Sequence, residues 1–232
     1  MTLAQLRELT RLYVPGAKTN TISNPQVDLI LNNGVKDIAV YTLCLKANKK
    51  FNVVADQSQY NLSSVIGDYV GVDKSGLWWN AGSATSTNWQ QLNPRTLKAL
   101  DNERINWRDL GSDDPQDYTI DGDILTIVPA GDTALANGLW LYYGKKPSIM
   151  SADGHYSFSG STTEYTHLSI FDEAIIGFAK WKLQQALNKD GTDEYKRLEN
   201  SYKTLREEAF KLFKRRLDIS HSEDLRMQGL RP

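Results

Sequence analysis

Apolar spacing divides this chain into three parts, and that division limits the folds open to it. Helix-period segments lie at both ends, and a strand-like block carrying five of the six tryptophans lies between them. The first two helical segments are too short to bury their apolar faces alone, so they are expected to pack against the last two. The middle then reads as an insertion into one helical unit. The predicted class is α+β, with a helical bundle from residues 1–50 and 166–219. An antiparallel β-rich domain is inserted at 51–165, and an extended C-terminal tail covers 220–232.

Local signals support the helices. Thr2 and Gln5 are spaced as a capping box, and Leu3, Leu6, Leu9 and Leu12/Tyr13 follow at helical spacing until Pro15-Gly16. Ser23 and Gln26 repeat the box with Pro25 in the first turn, and Val27, Ile30, Leu31, Val35, Ile38, Ala39, Thr42 and Leu45 trace one face. Gly34 interrupts that face and marks a close helix contact, while Lys46, Lys49 and Lys50 read as cations at the helix C-terminus. Near the other end, Ser169 reads as the cap of a helix carrying Phe171, Ile175, Phe178, Trp181, Leu183 and Ala186. Thr192 caps the last helix, whose heptad stripe is Tyr195, Leu198, Tyr202, Leu205, Ala209 and Leu212, ending near Ile219. Between Met150 and Thr166 the Ser, Thr and Gly content predicts a linker or long loop.

Within the block, Asp121-Gly122-Asp123 joins Tyr118-Thr119-Ile120 to Ile124-Leu125-Thr126-Ile127-Val128 as the clearest hairpin signal. Pro129 ends the second strand, and Leu139-Trp140-Leu141-Tyr142-Tyr143 is a further strand. Trp140 faces opposite to Leu139 and Leu141. Trp78 and Trp79 are adjacent, so on a strand one of them must face outward. The outward member has three readings: burial in a neighbouring subunit, cover by a loop, or stacking on a sugar.

Few residues suggest chemistry. The three histidines, His155, His167 and His221, form no metal-spaced pair, and neither G-x-S-x-G nor a phosphate-binding P-loop occurs. Asp113, Asp114, Asp117, Asp121 and Asp123 could offer oxygen ligands, but turn chemistry explains most of them. No catalytic residue, metal or cofactor is expected, and the chain reads as no enzyme. A net charge of −1 does not mark a nucleic-acid or membrane binder as a whole, although Lys211, Lys214, Arg215 and Arg216 make a local basic cluster. That cluster reads as contact with DNA or an acidic partner, or as dipole complementarity on a solvated face. The single cysteine, Cys44, reads as a buried thiol on the second helix. Met1–Arg7 lacks an apolar signal core and no run approaches the ~20 apolar residues of a membrane span, so a soluble, intracellular or cell-assembled protein is expected.

The order of these elements resembles the head-to-tail adaptor (connector) proteins of tailed double-stranded DNA phages, in the podovirus-like form with a β-domain set into a helical bundle. The residues carrying the resemblance are Asp28-x-x-Leu31-Asn32, Phe51 through Gln59-Tyr60-x-Leu62, and Asp68-Tyr69-Val70-x-Val72. The fullest stretch is Asp114-Pro115-x-x-Tyr118-x-Ile120-Asp121-Gly122-Asp123-x-Leu125-x-Ile127-x-Pro129-Ala130, closed by Leu139-x-Leu141-Tyr142-Tyr143-x-x-x-Pro147. The resemblance implies a virion protein at the head–tail junction, assembled in the host cytoplasm. It would form a homo-oligomeric ring of twelve copies below the portal protein. Such a ring extends the DNA channel, contacts packaged DNA without sequence preference, docks tail proteins (nozzle or tail tube) and meets no membrane. On that reading His221, Leu225, Arg226, Met227, Leu230, Arg231 and Pro232 of the tail bind the portal. Trp78, Trp79 and Trp89 meet a neighbouring subunit or tail protein, and Lys211, Lys214, Arg215 and Arg216 meet the DNA channel or an acidic partner. Two rival readings are a carbohydrate-binding β-module and a DNA-binding regulator using the basic end of the last helix.

Overall fold

The computed structural model describes residues 1–14, 16–82, 88–103, 107–187, 189 and 191–227; for 103, 109 and 216–227 it describes the backbone alone. The fold is α+β. In chain order the elements are α1 (Leu3–Tyr13), α2 (Asn24–Thr42), β1 (Lys46–Val53), β2 (Gln59–Asn61), α3 (Leu62–Val65), β3 (Tyr69–Asn80), β4 (Trp89–Gln91) and β5 (Asn93–Pro94). There follow α4 (Leu97–Glu103), β6 (Asp117–Asp121), β7 (Ile124–Val128), β8 (Leu135–Lys145), α5 (Asp172–Ala186) and α6 (Asp193–Met227). The chain divides into two compact units, one of Met1–Cys44 with the chain from Pro147 onward, the other Leu45–Lys146.

In the helical unit, caps set the helix starts. The Thr2 Oγ1 accepts from the Gln5 N–H at 3.4 Å while the Gln5 side chain accepts from the Thr2 N–H at 2.9 Å. Gln26 likewise accepts from the Ser23 N–H at 2.8 Å, and α2 stops where Leu43 turns left-handed at φ 49°. The buried stripe of α2 is Val27, Leu31, Gly34, Val35, Ile38, Ala39 and Thr42. Gly34 lies against α5: a Cβ there would stand 3.0 Å from Cδ1 of Phe178. On α5, Gly177 admits α6 in the same way, with Leu205 Cδ1 3.1 Å from the position of a Cβ. Close backbone approach therefore holds α5 against both neighbours, and dispersion contacts replace the side chains that glycine lacks.

Polar groups tie the two ends of the chain together in this unit. Arg7 grips Asp28 with two parallel hydrogen bonds (2.8 and 2.9 Å) and reaches Asp153 at 3.1 Å, joining α1, α2 and the segment before α5. Both Asp28 and Asp153 hold the Arg7 pKa above its ordinary value, the Asp28 hydrogen bond most of all. The α-amino group of Met1 pairs with the buried Asp172 at 2.7 Å, and Ser157 donates to its other oxygen at 3.1 Å. Burial still pushes the Asp172 carboxyl above its usual range. Tyr202 of α6 donates to Asp37 of α2, and Arg206 meets the same carboxylate at 2.9 Å.

In the β unit, β1-β8-β3-β4 form an antiparallel sheet and β2-β7-β6-β5 a mixed one in which only β5–β6 is parallel. One core lies between their inner faces, with Phe51, Leu77, Trp79, Leu139 and Leu141 from the first and Tyr60, Tyr118, Leu125 and Ile127 from the second. The β6–β7 hairpin turns at Gly122, whose φ of 58° suits glycine. Leu100, Trp107 and Val128 make a small second cluster.

Several expectations are corrected. Residues 46–50 are strand rather than helix end: Lys46–Phe51 pair in register with Gly144–Leu139, and a partner strand distant in sequence overrides the local charge pattern. The division between units accordingly falls at 44/45 and 146/147, and Cys44 lies buried just beyond α2 rather than on it. Residues 150–166 are a long loop, one of the two readings expected, but not a linker, because Met150 and Phe158 are buried and Asn32 brackets the Met150 backbone at 2.8 and 3.1 Å. Ser169 caps nothing; it sits inside a 3-10 turn (Thr166–Phe171) and donates to the Thr166 carbonyl. Among the described side chains of α6 the buried positions are Tyr202, Ala209 and Phe213, while Leu212 faces water at 51% exposure. The helix continues to Met227 instead of ending at Ile219, so residues 220–227 are helical rather than extended. Glu223, Asp224, Leu225, Arg226 and Met227 contain no breaker, and lengthening an existing helix needs no new nucleus.

Candidate interaction surfaces

Strand alternation and register build the first surface. Trp140 lies opposite Trp78 on β3 and Lys50 on β1, Tyr142 lies opposite Asn48, and Trp89 on β4 lies opposite Asn80. Paired residues share a face, so all these side chains stand on the outer face of the first sheet, away from the core that takes Leu139 and Leu141. Trp89 meets Trp140 edge-on with ring centres 5.4 Å apart, and Trp140 lies 4.8 Å from Tyr142. The Lys50 ammonium sits over both indoles, 4.9 Å from Trp89 and 4.6 Å from Trp140. The indole N–H groups have partners: Trp140 donates to Asn48 Oδ1 at 3.1 Å and Trp78 to the Ser75 carbonyl at 2.8 Å. With those donors engaged, ring faces and edges are what this surface offers a ligand.

Of the three tryptophans singled out from sequence, Trp78 and Trp89 are half-buried on this face, whereas Trp79 is 3% exposed and belongs to the core. Trp79 is thus the inward member of the adjacent pair. Sequence reasoning missed Lys50, Asn48 and Tyr142. The Trp140–Tyr142 spacing of two was a readable sign for Tyr142, but assigning Lys50 to a helix end hid its place beside them.

The second surface is the far part of α6. Lys211, Lys214 and Arg215 are exposed, and the Lys214 ammonium lies 4.4 Å from the Phe210 ring centre. They flank Phe213, which is buried, so the cations project from the solvent side of a docked helix. Arg216, His221, Leu225, Arg226 and Met227 follow on the same helix, described by backbone alone, and Leu230, Arg231 and Pro232 lie outside the described residues.

Among the described residues no group of three or more His, Cys, Asp or Glu side chains is placed to hold a metal ion. Among them, too, no helix is long and apolar enough to cross a membrane. No protein-family model matches the chain. A search of curated proteins likewise finds no match.

Proposed function

We propose that this chain is a structural virion protein of a tailed double-stranded DNA phage: a head-to-tail adaptor that forms a ring below the portal, extends the DNA channel and docks tail proteins. The observation that carries this reading is the division of the chain. Helices from both ends share one unit, with a strand unit formed by the sequence between them. The plan that the resemblance implies, a β-domain set into a helical bundle, is in keeping with that division. The far end of α6 supports the portal contact, since it continues as helix beyond Phe213, its last described buried side chain. Its function is mechanical rather than chemical, and Lys211, Lys214 and Arg215 give only loose contact with DNA that must slide past.

The free protein is monomeric or weakly associated at micromolar concentration and becomes a ring on the portal; a stable closed ring without portal in light scattering would count against that order. Deleting residues 220–232 leaves folding intact and abolishes portal binding in a pull-down, and unchanged binding refutes the assignment of the tail.

The shared face of Trp78, Trp89 and Trp140 favours a second reading, a carbohydrate-binding module. Calorimetry against a glycan panel separates the two, because the adaptor reading predicts no saturable heat.

A further inference from the structure

Among its described residues, the β unit carries an unpaired ammonium on an aromatic sheet face and a group of unpaired carboxylates on its loops. On the outer face of the first sheet, in register with the tryptophans, stand Lys46, opposite Gly144, and Lys50, opposite Trp140; Lys46 meets Asp73 at 2.9 Å. Lys50 has no carboxylate partner among the described residues; its ammonium rests on the Trp89 and Trp140 rings. A cation held on ring faces has given up part of its water and keeps N–H donors to offer.

In the same unit, loops gather four carboxylates: Asp56, Asp113, Asp114 and Asp132. The Asp56 N–H donates to the Gly131 carbonyl and the Asp113 N–H to the Ala130 carbonyl, each at 2.9 Å, which draws these loops together. Asp114 and Asp132 line one open pocket of about 410 Å³. None of the four acids pairs with a cation among the described residues.

We propose that the aromatic, lysine-bearing sheet face takes the acidic loop cluster of a second copy of this chain. The proposal rests on the ring reading and names the contact between neighbours. Charge complementarity selects the occupant: the Lys50 ammonium, held on an aromatic face without a carboxylate partner among the described residues, accepts carboxylates, and this chain supplies four on neighbouring loops. Trp78 and Trp89 contribute large, partly buried anchors, the side chains that carry most binding energy at protein contacts. A ring requires the contact to be heterologous. Each copy uses its face on one neighbour and its loops on the other, which closes a ring when the rotation per copy divides the circle. One such contact is weak alone and becomes effective when a portal holds the copies side by side.

The test is sedimentation velocity of the full chain at about 0.5 mM in about 50 mM salt, where screening is weakest. Wild type is expected to show species larger than a dimer, with association falling roughly tenfold or more at about 500 mM salt. Lys50→Glu alone, and Asp113→Lys with Asp114→Lys, each abolish these species while circular dichroism stays unchanged. An equal mixture of the two variants restores them, because each reversed face then meets a reversed loop cluster. Association that survives either reversal, or its loss without recovery in the mixture, overturns this contact and leaves the ring reading standing. Absence of any association in wild type overturns the contact. The ring reading fails separately, when no assembly forms on the portal.

Discussion

Replacing Tyr202 with phenylalanine removes one oxygen from the junction of α2, α5 and α6. The ring of Tyr202 is 2% exposed, stacked against Trp181 at 5.9 Å with planes 15° apart and edge-on to Phe178 at 5.2 Å. The substitution keeps those ring contacts and deletes only the hydroxyl that donates to Asp37. A hydrogen bond to a charged acceptor contributes about 1.5–3 kcal/mol, but the Asp37 side chain is 41% exposed and retains Arg206, so water can replace part of it. The expected loss is therefore about 1 kcal/mol, against about 3–5 kcal/mol for Tyr202→Ala, which also empties the ring site. The assay is native-state hydrogen exchange in urea, read on α2 and α6 segments so that the helical unit is followed by itself. A double-mutant cycle with Asp37→Ala should give a coupling of about 0.5–1.5 kcal/mol. A Tyr202→Phe protein indistinguishable from wild type, with effects strictly additive to Asp37→Ala, would refute the docking of α6 on α2.

Other outcomes follow from the same geometry. Gly34→Val sets a branched side chain where a Cβ alone would stand 3.0 Å from Phe178, and should lower urea stability of the helical unit by about 1–3 kcal/mol. Arg7→Lys keeps the charge but loses the bidentate grip on Asp28, and should cost about 1 kcal/mol in the same measurement. Tyr143 is buried and donates to Asp68, which together push its hydroxyl up to about 12 from 10.0. The folded state then keeps a proton that the unfolded state loses between pH 10 and 12, so stability of the β unit falls as pH rises through that window; Tyr143→Phe should flatten this part of a pH-dependent denaturation series.

Legibility in the sequence followed the range of the forces involved. Both capping boxes and the Gly122 hairpin were readable because each depends on residues a few positions apart, and Gly34 was readable as a gap in the apolar stripe of α2, although its partner Phe178 lies on α5. Lys46–Lys50 were misread because their strand is decided by pairing with β8, which no local pattern reveals. Residues 150–166 look like linker or long loop by composition, yet Phe158 is buried beside Phe171, which in turn meets Phe213 of α6, contacts that no local pattern reveals. The candidate surface was half visible. Adjacent Trp78 and Trp79 required one outward ring, but only register placed Trp89, Trp140 and Lys50 beside Trp78. The helical run to Met227 is not legible in the sequence because residues 220–227 carry few apolar side chains at helical spacing, although a docked helix can extend beyond its core contacts.

Electron microscopy of the full-length protein mixed with its portal tests the adaptor reading most directly. The account predicts a ring of copies seated below the portal, coaxial with the DNA channel, with the C-terminal end of α6 at the portal contact. Free portal beside unassembled protein, or attachment of isolated copies away from the channel axis, would contradict it.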